Sequence, residues 1–200
     1  MTTKFWEDAN EYLMYTGVPP VKDIIVKTQG TRLYTENGSI LDFTSGQMSA
    51  LLGHCHPEVA ECVSYYASNL DHLLSNMITE PVVSLAKNLA AVLPPSLSKS
   101  FFLNTGSEST EAALKMAKVA TKKFEIVAFG NSYHGLTQGA SGATYSAGRK
   151  NGVPTVPGMI VFPTPNKLTS PFKTASEDYD WQTEMDFAWS LVDAQSVGSL

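Results

Sequence analysis

The sequence predicts a mixed α/β fold in which an N-terminal arm and an antiparallel hairpin precede the first part of a larger sheet domain. Alternating β-prone residues from Ile24 to Phe43 enclose an Asn37-Gly38 pair, which is typical of a hairpin. Between Ser100 and Phe129 a strand, a helix and a strand follow one another within about 30 residues, as in a βαβ unit. Because parallel sheets usually have several more strands, the sequence predicts an incomplete sheet.

The first predicted segment, residues 1–56, holds the arm and the hairpin. Aromatic and acidic residues between 4 and 16 predict a short helix that packs on a larger body. In the hairpin, Asn37-Gly38 favours a type I′ turn because both residues tolerate positive φ angles.

The second predicted segment, residues 57–200, begins with two helices. Proline at the first turn predicts helices over 57–70 and 81–92, and a Pro-Pro pair ends the second. The predicted βαβ unit follows, with its strands at 100–103 and 125–129 and its helix at 107–122.

Residues at the two ends of the 107–122 helix support its assignment. Thr105 and Glu108 fit a capping box, while Lys122 and Lys123 lie at the negative end of the helix dipole. Beyond this unit, five prolines in 145–180 predict a long surface excursion. A last helix is predicted over 181–194.

The composition excludes several classes of partner. Fourteen basic and nineteen acidic residues give a net charge of -5, and the clustered lysines recur at helical spacing, so nucleic acid is not an expected partner. There is no run of 18 apolar residues, and no membrane association is expected. The two cysteines and the absence of a signal-like start predict a cytoplasmic location.

The run Asn104-Thr105-Gly106-Ser107-Glu108-Ser109 lies where the predicted strand turns into the helix. Free backbone N–H groups at a helix start can bind an anion, so the turn predicts a phosphate cup. A well-capped helix with a tight turn is the alternative explanation. Neither GxGxxG nor GxxxxGK[ST] occurs, so neither a dinucleotide fold nor a P-loop is supported.

Two further loops carry candidate residues. Tyr133 follows the strand at 125–129, where open α/β sheets bind ligands, and its ring could stack on a flat cofactor or simply fill a loop core. The loop Asp42–Ser49 combines small polar residues with glycine and could hold a substrate. His54 and His56 form an H-x-H pair, which alone is weak evidence for zinc.

Taken together, the runs Leu41–Val59, Phe102–Thr121 and Glu125–Lys150 resemble the N-terminal part of the class III pyridoxal-phosphate-dependent aminotransferases. The resemblance implies the N-terminal part of the fold type I architecture of pyridoxal-phosphate-dependent transferases, incomplete in this chain. Within the family, the Asp42–Ala50 run and the following Gly53–Glu58 run are most similar to the 2,2-dialkylglycine decarboxylases, and Ala143–Lys150 supports the same subgroup.

The resemblance also implies roles for individual residues. Backbone N–H groups of Gly106 and Ser107 would hold the phosphate of pyridoxal 5'-phosphate, with Thr105 completing the turn, and Tyr133 would stack on the pyridine ring. The substrate side would be formed by Gln47, which would bind the carboxylate, and Met48. An alkali cation, potassium or sodium, would take the Leu73 carbonyl and Ser75 as ligands. The subgroup has tryptophan in place of Tyr133 and alanine in place of Ser107.

The implied reaction is decarboxylation of a 2,2-dialkylglycine and transfer of its amino group to an oxo acid such as pyruvate. Another member of the family, an ω-amino acid or acetylornithine aminotransferase, and a short non-catalytic partner-binding product are the alternatives. The resemblance implies a homodimer or tetramer at full length. It places the Schiff-base lysine beyond Leu200, so we expect this chain alone to be inactive.

Overall fold

The computed structural model describes residues 2–15, 19–146, 156–192 and 197–199. The chain divides into two compact units, Met1–Glu80 and Pro81–Leu200. The domain boundary predicted after residue 56 stays a prediction, because it refers to domains of the whole protein. Among the described residues, no helix is both long and apolar enough to cross a bilayer.

Unit 1 consists of an N-terminal helix, a three-stranded antiparallel meander and two further helices. The elements are α1 (Thr2–Tyr12), β1 (Ile25–Gln29), β2 (Arg32–Thr35), β3 (Gly38–Leu41), α2 (Ser45–Met48) and α3 (Pro57–Asn69). The strands pair in the order β1-β2-β3. The predicted hairpin and the helix at 57–70 are therefore confirmed, and the arm helix is confirmed from residue 4 to 12; residue 16 lies outside the described residues.

The turn between β2 and β3 differs from the predicted type I′ turn. Thr35 pairs with Gly38, so the two central residues are Glu36 and Asn37. Neither has a positive φ; the positive φ of 153° falls on Gly38 instead. Asn37 donates its backbone N–H to Thr35 Oγ1 and its side-chain amide to Asp23 Oδ1, and these bonds favour the observed conformation. The prediction of a type I′ turn is wrong.

Unit 2 consists of a three-stranded parallel sheet and its helices, together with a helix that begins at the unit boundary. The elements are α4 (Glu80–Val92), α5 (Gly106–Thr121), β4 (Glu125–Phe129), α6 (Gln138–Ala143), β5 (Met159–Phe162), α7 (Trp181–Ser190) and β6 (Val197–Ser199). The strand order is β5-β4-β6, and β4 is parallel to both neighbours. The predicted mixed α/β architecture is confirmed.

The sheet of unit 2 has helices on both faces. Val127, Phe162, Ala188 and Val197 form the core between the sheet and α7, and the Trp189 ring meets the Phe162 ring edge-on at 4.9 Å. On the other face, a cavity of about 240 Å³ is lined by residues of α5 and β4 and by His134 and Ala143. In contrast, none of the residues of α3, α4 and α5 is buried within the described part of the chain.

Two predictions about strands are wrong: the strand predicted over 100–103 is absent from the described residues, and the surface excursion predicted over 145–180 contains a strand. Residues 101–103 form no strand, and among the described residues their backbone groups make no hydrogen bond to another backbone group. Both edges of β4 are already occupied by β5 and β6, so this segment cannot pair with β4. The observed βαβ unit is therefore β4-α6-β5, one strand later in the chain. Its second strand lies inside the predicted surface excursion, of which residues 147–155 lie outside the described residues.

Candidate cofactor and substrate sites

The first candidate site is the start of α5. Thr105 is the N-cap, and its hydroxyl oxygen accepts the Glu108 N–H at 3.2 Å. The Glu108 carboxylate in turn accepts the N–H groups of Thr105 at 2.9 Å and Asn104 at 3.1 Å. This confirms the predicted capping box and satisfies three of the backbone donors around the helix start.

The capping box leaves the N–H groups of Gly106 and Ser107 available. Neither is among the hydrogen bonds made by the described residues. A Cβ added to Gly106 would meet no atom within 4 Å, so the space in front of this residue is open. Exposed N–H groups at the positive end of a helix dipole are a favourable site for an anion.

The segment that carries Tyr133 is tied to the first turns of α5. The Leu136 N–H donates to Ser107 Oγ at 3.2 Å, and the Thr110 hydroxyl donates to the His134 carbonyl at 3.0 Å. Gly135 has a φ of 132°, and a Cβ there would lie 3.0 Å from the Ser107 Cα. The start of α5 and this segment therefore approach so closely at Gly135 that a side chain there would clash with Ser107.

Tyr133 itself is 53% exposed. Its neighbour His134 donates its backbone N–H at 2.9 Å to the hydroxyl of Thr144, which is 2% exposed. The Thr144 hydroxyl lies 2.9 Å from the Ala140 carbonyl, which it can donate to. The backbone of His134, next to Tyr133, is thus held by Thr144 and Thr110, while Tyr133 is about half exposed.

Glu111 joins α5 to α6. Its Oε1 accepts the N–H groups of Gly139 at 2.7 Å and Ala140 at 3.2 Å. These donors belong to the first turn of α6, where a carboxylate also interacts favourably with the helix dipole. The hydrogen bond from the Thr137 hydroxyl, followed by the two backbone N–H groups, holds the pKa of Glu111 below its ordinary value of 4.5, against the opposing effect of burial.

The second candidate site is the loop of unit 1 that follows β3. Gln47 and Met48 lie in the four-residue segment α2, whose backbone angles are non-helical at Gly46 and Gln47. Met48 is 81% exposed with a φ of 62°. The Asp42 carboxylate at the start of the loop accepts N–H groups of Thr44 and Gly46 at 2.8 and 2.7 Å. It also lies 2.6 Å from His54 Nε2. The hydrogen bond from His54, and then those from Thr44 and Gly46, hold the pKa of Asp42 well below its ordinary value.

The histidine contact changes the interpretation of the H-x-H pair. His54 binds the Asp42 carboxylate, and no group of three or more His, Cys, Asp or Glu side chains in the described residues is arranged to hold a metal ion. Leu73 and Ser75, the predicted cation ligands, lie in the connection between α3 and α4.

Four residues of these sites were not predicted from the sequence: Asp42 as an acceptor, His54 as its donor, Glu111 and Thr144. Only Asp42 carried a local signal, because Asp two residues before Thr is typical of a turn in which the carboxylate accepts the later N–H. The contacts of His54 and Glu111, and those of Thr144 with His134 and Gly135, join residues nine or more positions apart.

Comparisons with known proteins show which family the chain resembles. The family model "Aminotransferase class-III" matches residues 14–186. An uncharacterized aminotransferase of Schizosaccharomyces pombe is 47% identical over 197 residues, covering 98% of this chain and 44% of the relative. The acetylornithine aminotransferase of Methanopyrus kandleri is 37% identical over 122 residues, covering 60% of this chain and 31% of the relative.

A solved structure shows the same architecture. The taurine:2-oxoglutarate aminotransferase of Bifidobacterium kashiwanohense, in complex with PLP and glutamate, is similar with a TM-score of 0.82 at 27% identity, covering 98% of this chain and 46% of that protein. The fold is therefore the N-terminal part of the fold of pyridoxal-phosphate-dependent transaminases. This chain belongs to the class III aminotransferase family. It spans less than half the length of the relatives that it matches.

Proposed function

We propose that this chain is the N-terminal part of an aminotransferase that uses pyridoxal 5'-phosphate to move an amino group between an amino acid and an oxo acid. The observation that carries the proposal is the pair of free N–H groups at Gly106 and Ser107, beside a segment that presents the half-exposed Tyr133. When bound, pyridoxal phosphate supplies an electron sink for the bonds broken at the amino acid Cα.

The residues at the start of α5 fit the phosphate of this cofactor. Gly106 and Ser107 donate their N–H groups to phosphate oxygens, and Gly106 leaves room for the close approach of the anion. Thr105 sets the direction of both groups because its capping box fixes the first turn. Tyr133 covers the heterocycle, with an aromatic contact of about 0.5–1.5 kcal/mol beyond burial.

Gln47 and Met48 of unit 1 are the proposed substrate-binding residues. The Gln47 amide binds the substrate carboxylate and sets which bond at the Cα is aligned for cleavage. Met48, which is mostly exposed, lines the space next to it. The proposal also includes an alkali cation held by the Leu73 carbonyl and Ser75, assembly as a homodimer or tetramer, and a cytoplasmic location.

Two substrate classes follow from different observations. The acetylornithine aminotransferases among the relatives favour plain transamination of an ω-amino acid. The Asp42–Ala50 run, which carries Gln47, favours decarboxylation of a 2,2-dialkylglycine coupled to amino transfer. Assaying the whole protein with N-acetylornithine and with 2-aminoisobutyrate separates the two, because only the second substrate releases carbon dioxide.

The proposed phosphate-binding site at Gly106 and Ser107, the phosphate cup, can be tested on this chain directly. We would measure the binding of 4-deoxypyridoxine 5'-phosphate, which lacks the aldehyde and cannot react with lysines, by equilibrium dialysis. Gly106→Pro removes one of the two N–H donors, yet proline suits the first helical position, and the extended Thr105 suits a following proline. Loss of one charge-assisted hydrogen bond, about 1.5–3 kcal/mol, is expected to weaken binding roughly 10- to 100-fold.

A matched control removes the same kind of donor elsewhere. Gln138→Pro changes the first position of α6, whose N-cap Thr137 is also extended, and is expected to leave binding unchanged. Equal affinities for the Gly106→Pro and Gln138→Pro chains, or equal affinity for a ligand without phosphate, would contradict the proposed phosphate cup.

A further inference from the structure

The loop between β3 and α3 is closed by contacts at its two ends. Asp42 at the beginning and His54 at the end are 12 residues apart, and their side chains meet at 2.6 Å. Between them lies Gln47, to which we assign the substrate carboxylate. The geometry of this loop therefore depends on what the two end residues do.

The Asp42 carboxylate uses both oxygens. Oδ1 accepts the Thr44 N–H at 2.8 Å and the Thr44 hydroxyl at 2.7 Å. Oδ2 accepts the Gly46 N–H at 2.7 Å and the His54 Nε2–H, since an ionised carboxylate can only accept. The side chain of Asp42 is 5% exposed and that of His54 is 19% exposed, so water competes weakly for these bonds.

The loop has an unusual backbone between these contacts. Ser45, Gly46 and Met48 have φ angles of 53°, 65° and 62°, in the left-handed region that residues other than glycine rarely adopt. Such conformations persist only where the surroundings hold them, and they are concentrated at functional sites. Gln47 lies between two of these residues, so its direction is set by a backbone that would relax without support.

His54 is itself attached to the meander. Its backbone N–H donates to the Gly30 carbonyl at 2.8 Å, and its carbonyl accepts the Gly30 N–H at 2.9 Å. Gly53 packs so closely that an added Cβ would lie 3.0 Å from the Gly30 Cα. The β1–β2 turn thus fixes His54, and the His54 ring reaches back to the Asp42 carboxylate.

We propose that Asp42 and His54 are a positioning pair that holds the left-handed backbone of the Gln47 loop and so aims the Gln47 side chain at the substrate carboxylate. The role of Gln47 comes from the proposed function above. The positioning itself is a property of the loop in the absence of any ligand.

The test is amide hydrogen exchange, followed by NMR on the 200-residue chain without cofactor or substrate. His54→Ala is expected to raise the exchange rates of the Thr44 and Gly46 amides at least tenfold, while the amides of β2 and β3 keep their protection. His54→Gln can donate an amide hydrogen to Asp42 and is expected to restore the rates to within threefold. His56→Ala is the matched control, because His56 Nδ1 has no hydrogen-bond partner among the described residues.

Several outcomes overturn the positioning pair. These are unchanged Thr44 and Gly46 rates in His54→Ala, an equal increase in His56→Ala, or no restoration by His54→Gln. If the amides of β2 and β3 also lose their protection in His54→Ala, the same exchange measurement on Asp42→Asn separates a role in the loop from a role in the meander. In that variant the single side-chain carbonyl oxygen can replace only one carboxylate oxygen, so one of the two loop amides should lose protection while the strands keep theirs. Loss of strand protection there as well makes the pair a support of the meander and overturns the proposal.

The experiment separates this inference from the proposed function. No ligand is present, so the exchange rates depend only on the loop. Gln47→Ala in the whole protein tests the function instead: an unchanged KM and kcat would remove Gln47 from the substrate site and leave the exchange results intact.

Discussion

The N–H of Gly139, in the first turn of α6, donates to the Glu111 carboxylate of α5 at 2.7 Å. A Cβ on Gly139 would lie 3.0 Å from the Glu111 Cδ, so a side chain at this position would displace the carboxylate. Through this bond one side chain of α5 organises the start of the next helix. The segment with Tyr133 lies between the two helices in the chain, and its position depends on both.

Removing the Glu111 carboxylate is therefore expected to destabilise unit 2. Glu111→Leu leaves the Gly139 and Ala140 amides without an acceptor and should lower the free energy of unfolding by about 1–3 kcal/mol. Glu111→Gln keeps one carbonyl oxygen and should lose less. Urea unfolding followed by tryptophan fluorescence measures both, with the exposed Asp186→Asn as a control that should stay within about 0.5 kcal/mol of the original chain.

The same carboxylate predicts a pH dependence. Its pKa is lower in the folded chain than the ordinary 4.5, so its stabilisation is complete above pH 4.5 and is lost as the pH falls through the folded value. The urea midpoint should fall less steeply below pH 4.5 in Glu111→Gln than in the original chain. Parallel curves for the two chains would contradict this assignment.

The close approach of Gly135 and Ser107 predicts a steric effect. Gly135→Ala places a Cβ 3.0 Å from the Ser107 Cα at a φ of 132°, and is expected to cost about 1–3 kcal/mol of stability. Gly106→Ala, one residue before Ser107, meets open space and should be neutral or slightly stabilising for the helix. Similar urea midpoints for the two variants would show that the approach is not tight.

The N-cap of α5 predicts a local effect on the helix. Thr105→Ala removes the acceptor of the Glu108 N–H and should cost about 0.5–2 kcal/mol. The matched change Thr121→Ala at the other end of α5 removes the bond from its hydroxyl to the Ala117 carbonyl and the acceptor of the Lys123 N–H, both far from the first turn. Amide exchange in the first turn of α5 should increase in Thr105→Ala alone.

Tyr179 predicts a change at alkaline pH. Burial, and then the hydrogen bond to Glu184, raise the pKa of Tyr179 from 10.0 to about 12. Its contribution to stability is complete below pH 10 and is lost as the pH rises through about 12. Burial also raises the pKa of Tyr145, so absorbance titration should show a late ionisation that loses the contribution of one tyrosine in Tyr179→Phe. If the late step is undiminished in that variant, another tyrosine is responsible.

The sequence predicts those parts of this fold that depend on local signals. The α5 helix has a Thr105–Glu108 capping box, and the start of α3 has a proline, so both were located to within a residue or so. The prediction of a strand at 100–103 is wrong because a strand needs a partner strand to pair with, and a run of hydrophobic residues does not show that a partner is present. The apolar run of β5, Met159–Phe162, was detectable in principle but was obscured by the surrounding prolines.

The candidate sites show the same division. The free amides of Gly106 and Ser107 follow from rules about helix starts, so they could be predicted from adjacent residues. Asp42 and His54 are joined across a loop, and nothing in either residue alone indicates the other. The similarity to 2,2-dialkylglycine decarboxylases stays a prediction, and the carbon dioxide assay decides it.

The exposed apolar residues of α5 make this chain a useful reference for mutational scanning. Met116 and Val119 are 50% and 59% exposed, so serine at either position should scarcely change the urea midpoint of the 200-residue chain. If the same replacements are harmful in the longer relatives, the difference would reveal a contact that those proteins make and this chain does not. Comparing the two scans position by position would therefore outline that contact without a second structure.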